Sequence, residues 1–147
     1  MDKFLKLRKV SMNDLRVLLE WKNDKITREN SLNTNLVSAN EHKDYLEKII
    51  ASQDINQFIL EFNETPIGTI REIYNSNTFN ISYTVSPKYR GKKIGQIMMS
   101  LYLLERKGVF ECEVKPKNIS SIKMIEKLGF INIKKVKNNL HFQLTQS

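Results

Sequence analysis

The stretch Val85-Ser86-Pro87-Lys88-Tyr89-Arg90-Gly91-Lys92-Lys93-Ile94-Gly95 decides how the chain is read. Pro87 breaks a β-rich run, and a basic turn containing a glycine follows. Ile94, Ile97, Met98, Leu101 and Leu104 then recur at helical spacing. Glycine lets the backbone come close to an anion, and the free N–H groups and positive dipole of a helix start attract one. Lys92 and Lys93 add mobile charge, and Arg90 adds a planar fork of donors. The stretch reads as a pyrophosphate cradle. It has neither the GxxxxGK[ST] spacing of a P-loop nor the GxGxxG of a dinucleotide fold.

Upstream, Phe4–Val10 reads as a strand, and Ser11 with Asp14 three residues on marks a helix start ahead of Leu15, Leu18 and Leu19. Ser38 with Glu41 repeats that spacing before Tyr45, Leu46, Ile49 and Ile50. Gln57–Phe62, Ile67–Tyr74 and Phe79–Val85, separated by turn-forming residues, read as an antiparallel meander. Downstream come a strand over Val109–Val114 and a helix over Ile119–Leu128 closed by Gly129. Ile131–Val136 and Leu140–Leu144 then form a hairpin around Asn138-Asn139. The expectation is one mixed α/β domain over 1–147, with about seven mostly antiparallel strands and four helices.

Composition narrows the partners. The formal net charge of +8 is concentrated between Lys88 and Lys137, where thirteen Lys/Arg face four Asp/Glu. That favours an anionic partner: a phosphorylated co-substrate, a nucleic acid or an acidic surface. Tyr89, Tyr102, Phe110 and Phe130 follow core spacing instead of lining the basic turn, which argues against a nucleic-acid-binding module. The longest uncharged apolar run, Ile94–Leu104, is too short for the ~20 residues that span a bilayer. MDKFLKLRK is broken by charge and shows no signal peptide. The single Cys112 forms no intrachain disulfide, and a cytoplasmic location is expected. His42 reads as a capping or surface side chain and His141 as structural; with one Cys they offer no metal-ligand spacing.

Residues 85–95 resemble the acetyl-CoA loop, R/Q-x-x-G-x-G/A, of the GNAT N-acetyltransferase superfamily. Arg90 and Gly95 match its ends, and Lys93 stands where the middle glycine is usual. A second block is similar to the family's V-x-x-x-N-x-x-S/A-I…EKLGF segment: Val114-Lys115-Pro116-Lys117-Asn118-Ile119-Ser120-Ser121-Ile122 through Glu126-Lys127-Leu128-Gly129-Phe130. The resemblance implies that backbone N–H groups of Arg90, Gly91, Lys92, Lys93, Ile94 and Gly95 hold the CoA pyrophosphate. It implies that Thr84 and Val85 pair with the pantetheine, and that Asn118 hydrogen-bonds the pantetheine arm or caps the following helix. An amine would then attack acetyl-CoA directly, with no covalent enzyme intermediate.

The resemblance also shows gaps. Ile125 stands where many members carry the Tyr that protonates the departing thiolate, and Asn80 where an acidic residue is frequent. Glu72 and Glu113 remain as candidate bases, each with the alternative of an exposed strand carboxylate. A lysine-like amine near pKa 10.4 needs a base more than an α-amine near 7.7–8.0 does. Weak proton machinery therefore points away from lysine or polyamine acceptors, toward sugar amines or protein N-termini. Leu18-Leu19-Glu20-Trp21-Lys22-Asn23-Asp24, with Arg28, Ser31, Val37-Ser38 and Glu41-His42, is similar to two GNAT branches. One acetylates nucleotide-linked 4-amino-4,6-dideoxy sugars; the other acetylates ribosomal-protein alanine termini. The first is the leading expectation, with Trp21, Asn23 and Arg28 as acceptor-binding residues. A protein N-terminal or other small-amine acetyltransferase is the alternative, and an inactive acyl-CoA sensor a further one. A sheet edge left open in this fold allows a homodimer.

Overall fold

Three two-residue turns set the register of the sheet. Asn63-Glu64, Ser76-Asn77 and Lys137-Asn138 all hold positive φ at both positions, between 49° and 69°. Two such residues in succession form the type I′ turn, whose twist matches that of antiparallel strands. The computed structural model describes residues 4–147; the first three residues of the stretch read for a signal peptide lie outside the described residues. The turns join β2 (Ile55–Phe62) to β3 (Thr65–Asn75), β3 to β4 (Thr78–Val85), and β6 (Ile131–Val136) to β7 (Asn139–Gln146). The last turn sits one residue earlier than Asn138-Asn139.

With β1 (Leu5–Lys9) and β5 (Gly108–Val114), these strands form one seven-stranded sheet ordered β1-β2-β3-β4-β5-β7-β6. The fold is mixed α/β, and every junction is antiparallel except β4–β5. Residues opposite one another in register share a face, so period-two alternation separates two layers. On one face Ile59 packs with Leu18, Trp21 and Leu46 of α1 (Leu15–Asn23) and α3 (Ala39–Ala51). On the other, Ile70, Ile81 and Phe110 pack with Met98, Tyr102 and Ile125 of α4 (Ile94–Leu103) and α5 (Ile119–Lys127). A Cβ on Gly68 would lie 3.0 Å from Met98 Sδ, so α4 approaches β3 where a side chain is missing. No helix among the described residues is long and apolar enough to cross a membrane.

One helix departs from the four expected. The short α2 (Lys25–Asn30) buries no residue. It starts because the Asp24 carboxylate accepts from Thr27 N–H at 3.0 Å and Thr27 Oγ1 at 3.1 Å. Without an apolar stripe, periodicity carries no trace of it.

The junction that matters most is the parallel one. β4 and β5 pair only through Thr78–Val109, Phe79–Phe110 and Asn80–Glu111. Beyond that point β4 stays zipped to β3 as far as Val85 opposite Gly68, and β5 to β7 as far as Val114 opposite Leu140. The sheet is therefore split in its middle.

Candidate active site at the split of the sheet

The split opens a cavity of about 1240 Å³ lined by Thr84 and Val85 on one side and Cys112, Glu113 and Val114 on the other. Arg90, Gly91, Lys93, Ile94, Gly95 and Asn118 line it as well. Gly91 has φ 77°, and Lys93, the N-cap of α4, has φ 60°. The lysine at the middle-glycine position thus takes the left-handed conformation a glycine would. No side chain caps α4 and no acid occupies its first turn, so its leading N–H groups are open to an anion. The residues fit a pyrophosphate held by backbone and helix dipole. Asn118 Oδ1 accepts from Ser121 N–H at 3.4 Å as the N-cap of α5, and its Nδ2 has no protein partner among the described residues.

Three loop details differ from expectation. The Arg90 fork is engaged by the protein: it ion-pairs with Asp24 and donates to Thr27 Oγ1 at 2.9 Å. Burial pushes the Asp24 carboxyl up, but the bonds from Arg90 and Thr27 hold it below the usual carboxylate range. Lys92 lies 5.5 Å over the Tyr89 ring and is outside the cavity lining. A Cβ on Gly95 would meet Met124 Cε and Val85 Cγ2 at an ordinary 3.6 Å, so the fold itself does not demand glycine there.

The two candidate bases do not hold up as free carboxylates. Glu72 is buried on the α4 face, ion-paired with Arg106, hydrogen-bonded by Tyr102 Oη, and accepting from Asn56 Nδ2 at 3.0 Å. It lies outside the cleft. Glu113 lines the cleft, yet accepts from Asn139 Nδ2 at 2.8 Å and sits 3.4 Å from His141 Nε2. Its neighbour on the same face, Glu111, accepts from Gln143 Nε2 at 2.8 Å. Ile125 is fully buried in the core. Sequence reasoning missed Tyr83. Its hydroxyl reaches across the split to hydrogen-bond Ser121 Oγ on α5, and burial, then Cys112, pushes its pKa far up. It remains a protonated hydroxyl facing the cavity. Burial, then Glu111, pushes the Cys112 thiol up to about 12, so it is neutral.

The expected acceptor residues are mostly engaged in structure. Asn23 staples the α2–α3 segment: its Nδ2 donates to Val37 O at 2.9 Å and its Oδ1 accepts from Val37 N–H at 2.8 Å. Arg28 donates to the carbonyls of Asn23 (3.2 Å) and Thr34 (3.4 Å). Neither lines the cavity. Trp21 is 5% exposed in the core cluster and is among the residues that line the cavity.

Other residues line that end of the cavity. His42, expected to cap or lie at the surface, is 5% exposed, and neither ring nitrogen has a partner among the described residues. Burial, then the charge of Lys22, holds its pKa below the usual 6.5. Lys22 Nζ lies 5.4 Å and Arg71 Cζ 5.7 Å from the centre of the Tyr45 ring. The clue available in sequence was a charged Arg71 inside the strand run Ile67–Tyr74.

A family model described as an acetyltransferase (GNAT) domain matches residues 5–131. Among solved structures the chain is similar to a domain from Methanocaldococcus jannaschii DSM 2661, with TM-score 0.82 and 22% identity over 97% of this chain and 98% of that one. It is also similar to spermidine N-acetyltransferase from Vibrio cholerae in complex with CoA and spermine. There the TM-score is 0.86 and the identity 16%, over 98% of this chain and 96% of that one. A dodecameric structure of the Vibrio cholerae enzyme gives 0.78 and 18%, over 99% and 95%. No curated protein matches the chain. These matches single out neither of the two acceptor branches that the N-terminal third resembles. The chain belongs to the GNAT acetyltransferases, and its chemistry is acetyl-CoA-dependent N-acetyl transfer.

Proposed function

We propose that the protein acetylates a primary amine of a small molecule. The observation that carries this reading is one continuous cavity joining the open N-terminus of α4, through the split strands, to a wall formed by His42 and Tyr45. Donor and acceptor would then meet between Thr84–Val85 and Cys112–Val114. The neutral amine forms the C–N bond as the thioester C–S bond breaks. A backbone N–H on β4 would polarise the carbonyl. The His42 imidazole, neutral at pH 7, would accept the amine proton directly or through water, and the Tyr83 hydroxyl would donate to the departing thiolate.

The small-amine alternative is favoured over the nucleotide-linked sugar for two reasons. Asn23 and Arg28 are occupied with backbone partners, and the Vibrio cholerae enzymes similar in fold act on spermidine. A neutral buried thiol fits a reducing, cytoplasmic setting. The exposed outer strand β6 leaves an edge for self-association.

The test is CoA thiol release from acetyl-CoA with four acceptors in parallel: ethanolamine, spermidine, an alanine-ended peptide and a nucleotide-linked 4-amino sugar. Saturable release with a small amine, and none with the peptide or nucleotide sugar, is the expected result. Release with the peptide or nucleotide sugar alone would overturn the proposal.

A further inference from the structure

The protein has six arginines, and five of them have an oxygen partner. Arg8 has Asp14 and Glu61, Arg16 has Glu20, Arg28 two carbonyls, Arg90 Asp24, and Arg106 Glu72. Arg71 has none among the described residues; its Nε is wholly buried and unpartnered. Lys22, which also faces the Tyr45 ring, has no hydrogen-bond or carboxylate partner among the described residues either. Burial lowers the pKa of both, and for Lys22 the charge of Arg71 adds to the effect.

Two cations and an unpartnered imidazole therefore share one pocket wall. The acids on the same sheet face, Glu111 and Glu113, are bound to Gln143, Asn139 and His141 on the far side of the split. A desolvated cation is costly unless an anion pairs with it. Glu41, next to His42 on the cavity lining, is engaged with Ser38, its Oε1 accepting from Ser38 Oγ at 3.0 Å. Among the described residues no carboxylate pairs with either cation, and the wall faces the cavity where the acceptor would sit.

We infer that Arg71 and Lys22 form an anion-binding subsite, and that the acceptor amine carries a carboxylate or phosphate group. A guanidinium fork matches either group in a two-point contact. Arg71 stands opposite Ser82 on β4, two residues from Thr84, or ~7 Å along the strand. The anion and the reacting amine are thus joined by a short spacer. A polyamine would bring further positive charge against Lys22 and Arg71 and is disfavoured. The inference rests on the small-amine reading for the identity of the reacting group, but the subsite can be tested without turnover.

The experiment compares four short amines as acceptors: ethanolamine (neutral), phosphoethanolamine, β-alanine and spermidine. Phosphoethanolamine or β-alanine is expected to exceed ethanolamine and spermidine by about tenfold or more in kcat/KM, and which of the two leads identifies the anion. Arg71→Gln should erase that ratio, chiefly through KM. Lys22→Met should reduce it, and the pair Lys134→Ala with Lys137→Ala should retain it. Equal use of ethanolamine, a preference for spermidine, or an equal loss on all four amines in Arg71→Gln would overturn the subsite. In parallel, inorganic phosphate and acetate are titrated calorimetrically into CoA-saturated protein, so that the α4 loop is already filled. Saturable binding that weakens about tenfold in Arg71→Gln upholds the subsite even if no amine is acetylated, in which case the small-amine reading alone falls. No saturable binding of either anion overturns it.

Discussion

Replacing Arg71 with methionine should make the protein more stable. The side chain holds a charge whose Nε is buried without a partner, and its compensating contact is the Tyr45 ring at 5.7 Å. An unsatisfied buried polar group costs ~1–3 kcal/mol, more if charged. Arg71 is only half-buried, which places it toward the lower end of that range. Methionine keeps the apolar stem and gives up a cation–π contact worth ~0.5–1 kcal/mol. Relief of repulsion on Lys22 adds to the gain. The net is about 1 kcal/mol in favour of the variant. With an unfolding entropy of ~2.1 cal/mol/K per residue, a chain of this length gains about 3 °C in Tm. The assay is thermal unfolding at pH 7 followed by far-UV circular dichroism, with phosphoethanolamine added in a second series. The added ligand should raise the Tm of the wild type and leave the variant unmoved. A variant that melts several degrees lower would mean that Arg71 is already satisfied within the fold, which refutes the reasoning.

Three further outcomes are expected. His42 is held below its ordinary pKa, so the unfolded chain binds its proton more tightly; stability should fall as pH drops from about 6.5 through the lowered folded value, then level off. Urea midpoints between pH 7.5 and 5 should show that decline in the wild type and lose it in His42→Gln. Tyr83→Phe removes the hydroxyl that faces the split, and steady-state kinetics should show kcat down by about a hundredfold with the KM for acetyl-CoA little changed. Gly91→Val puts a β-branched residue at φ 77° and should abolish acetyl-CoA binding in calorimetry, whereas Gly95→Ala, whose Cβ meets only ordinary contacts, should retain it.

What the sequence disclosed was local in origin. The Asn- and Ser-containing turns, the Ser38 cap and Gly129 (φ 100°) after α5 depend on a few neighbouring residues, so their residue types announce them. The α4 loop was legible for the same reason, whereas the left-handed conformation of Lys93, at a position where glycine is usual, came from the structure. The acceptor pocket was not. Its wall joins Lys22 and His42, on two different helices, to Arg71 on a strand, and a pattern along the chain cannot show that Arg71 lacks a carboxylate. Glu72 misled in the complementary way: a strand carboxylate looks available until Arg106, thirty-four residues on, is seen to pair with it. Asn23 and Arg28 matched a motif for chemistry and turned out to staple a loop.

The placement of β7 bears on the order of events during synthesis. Residues 139–146 are translated after β6 yet lie inside the sheet, between β6 and β5. Until they leave the ribosome, β5 has only its three-residue junction with β4. The far wall of the split then has no support along Cys112–Val114. At ~5–20 residues per second, β1 to β4 have seconds in which to form their antiparallel meander before the chain can close. The cleft is therefore completed only after the meander, and a ribosome stalled a few codons short of β7 would carry an unfinished site beside strands that have already paired.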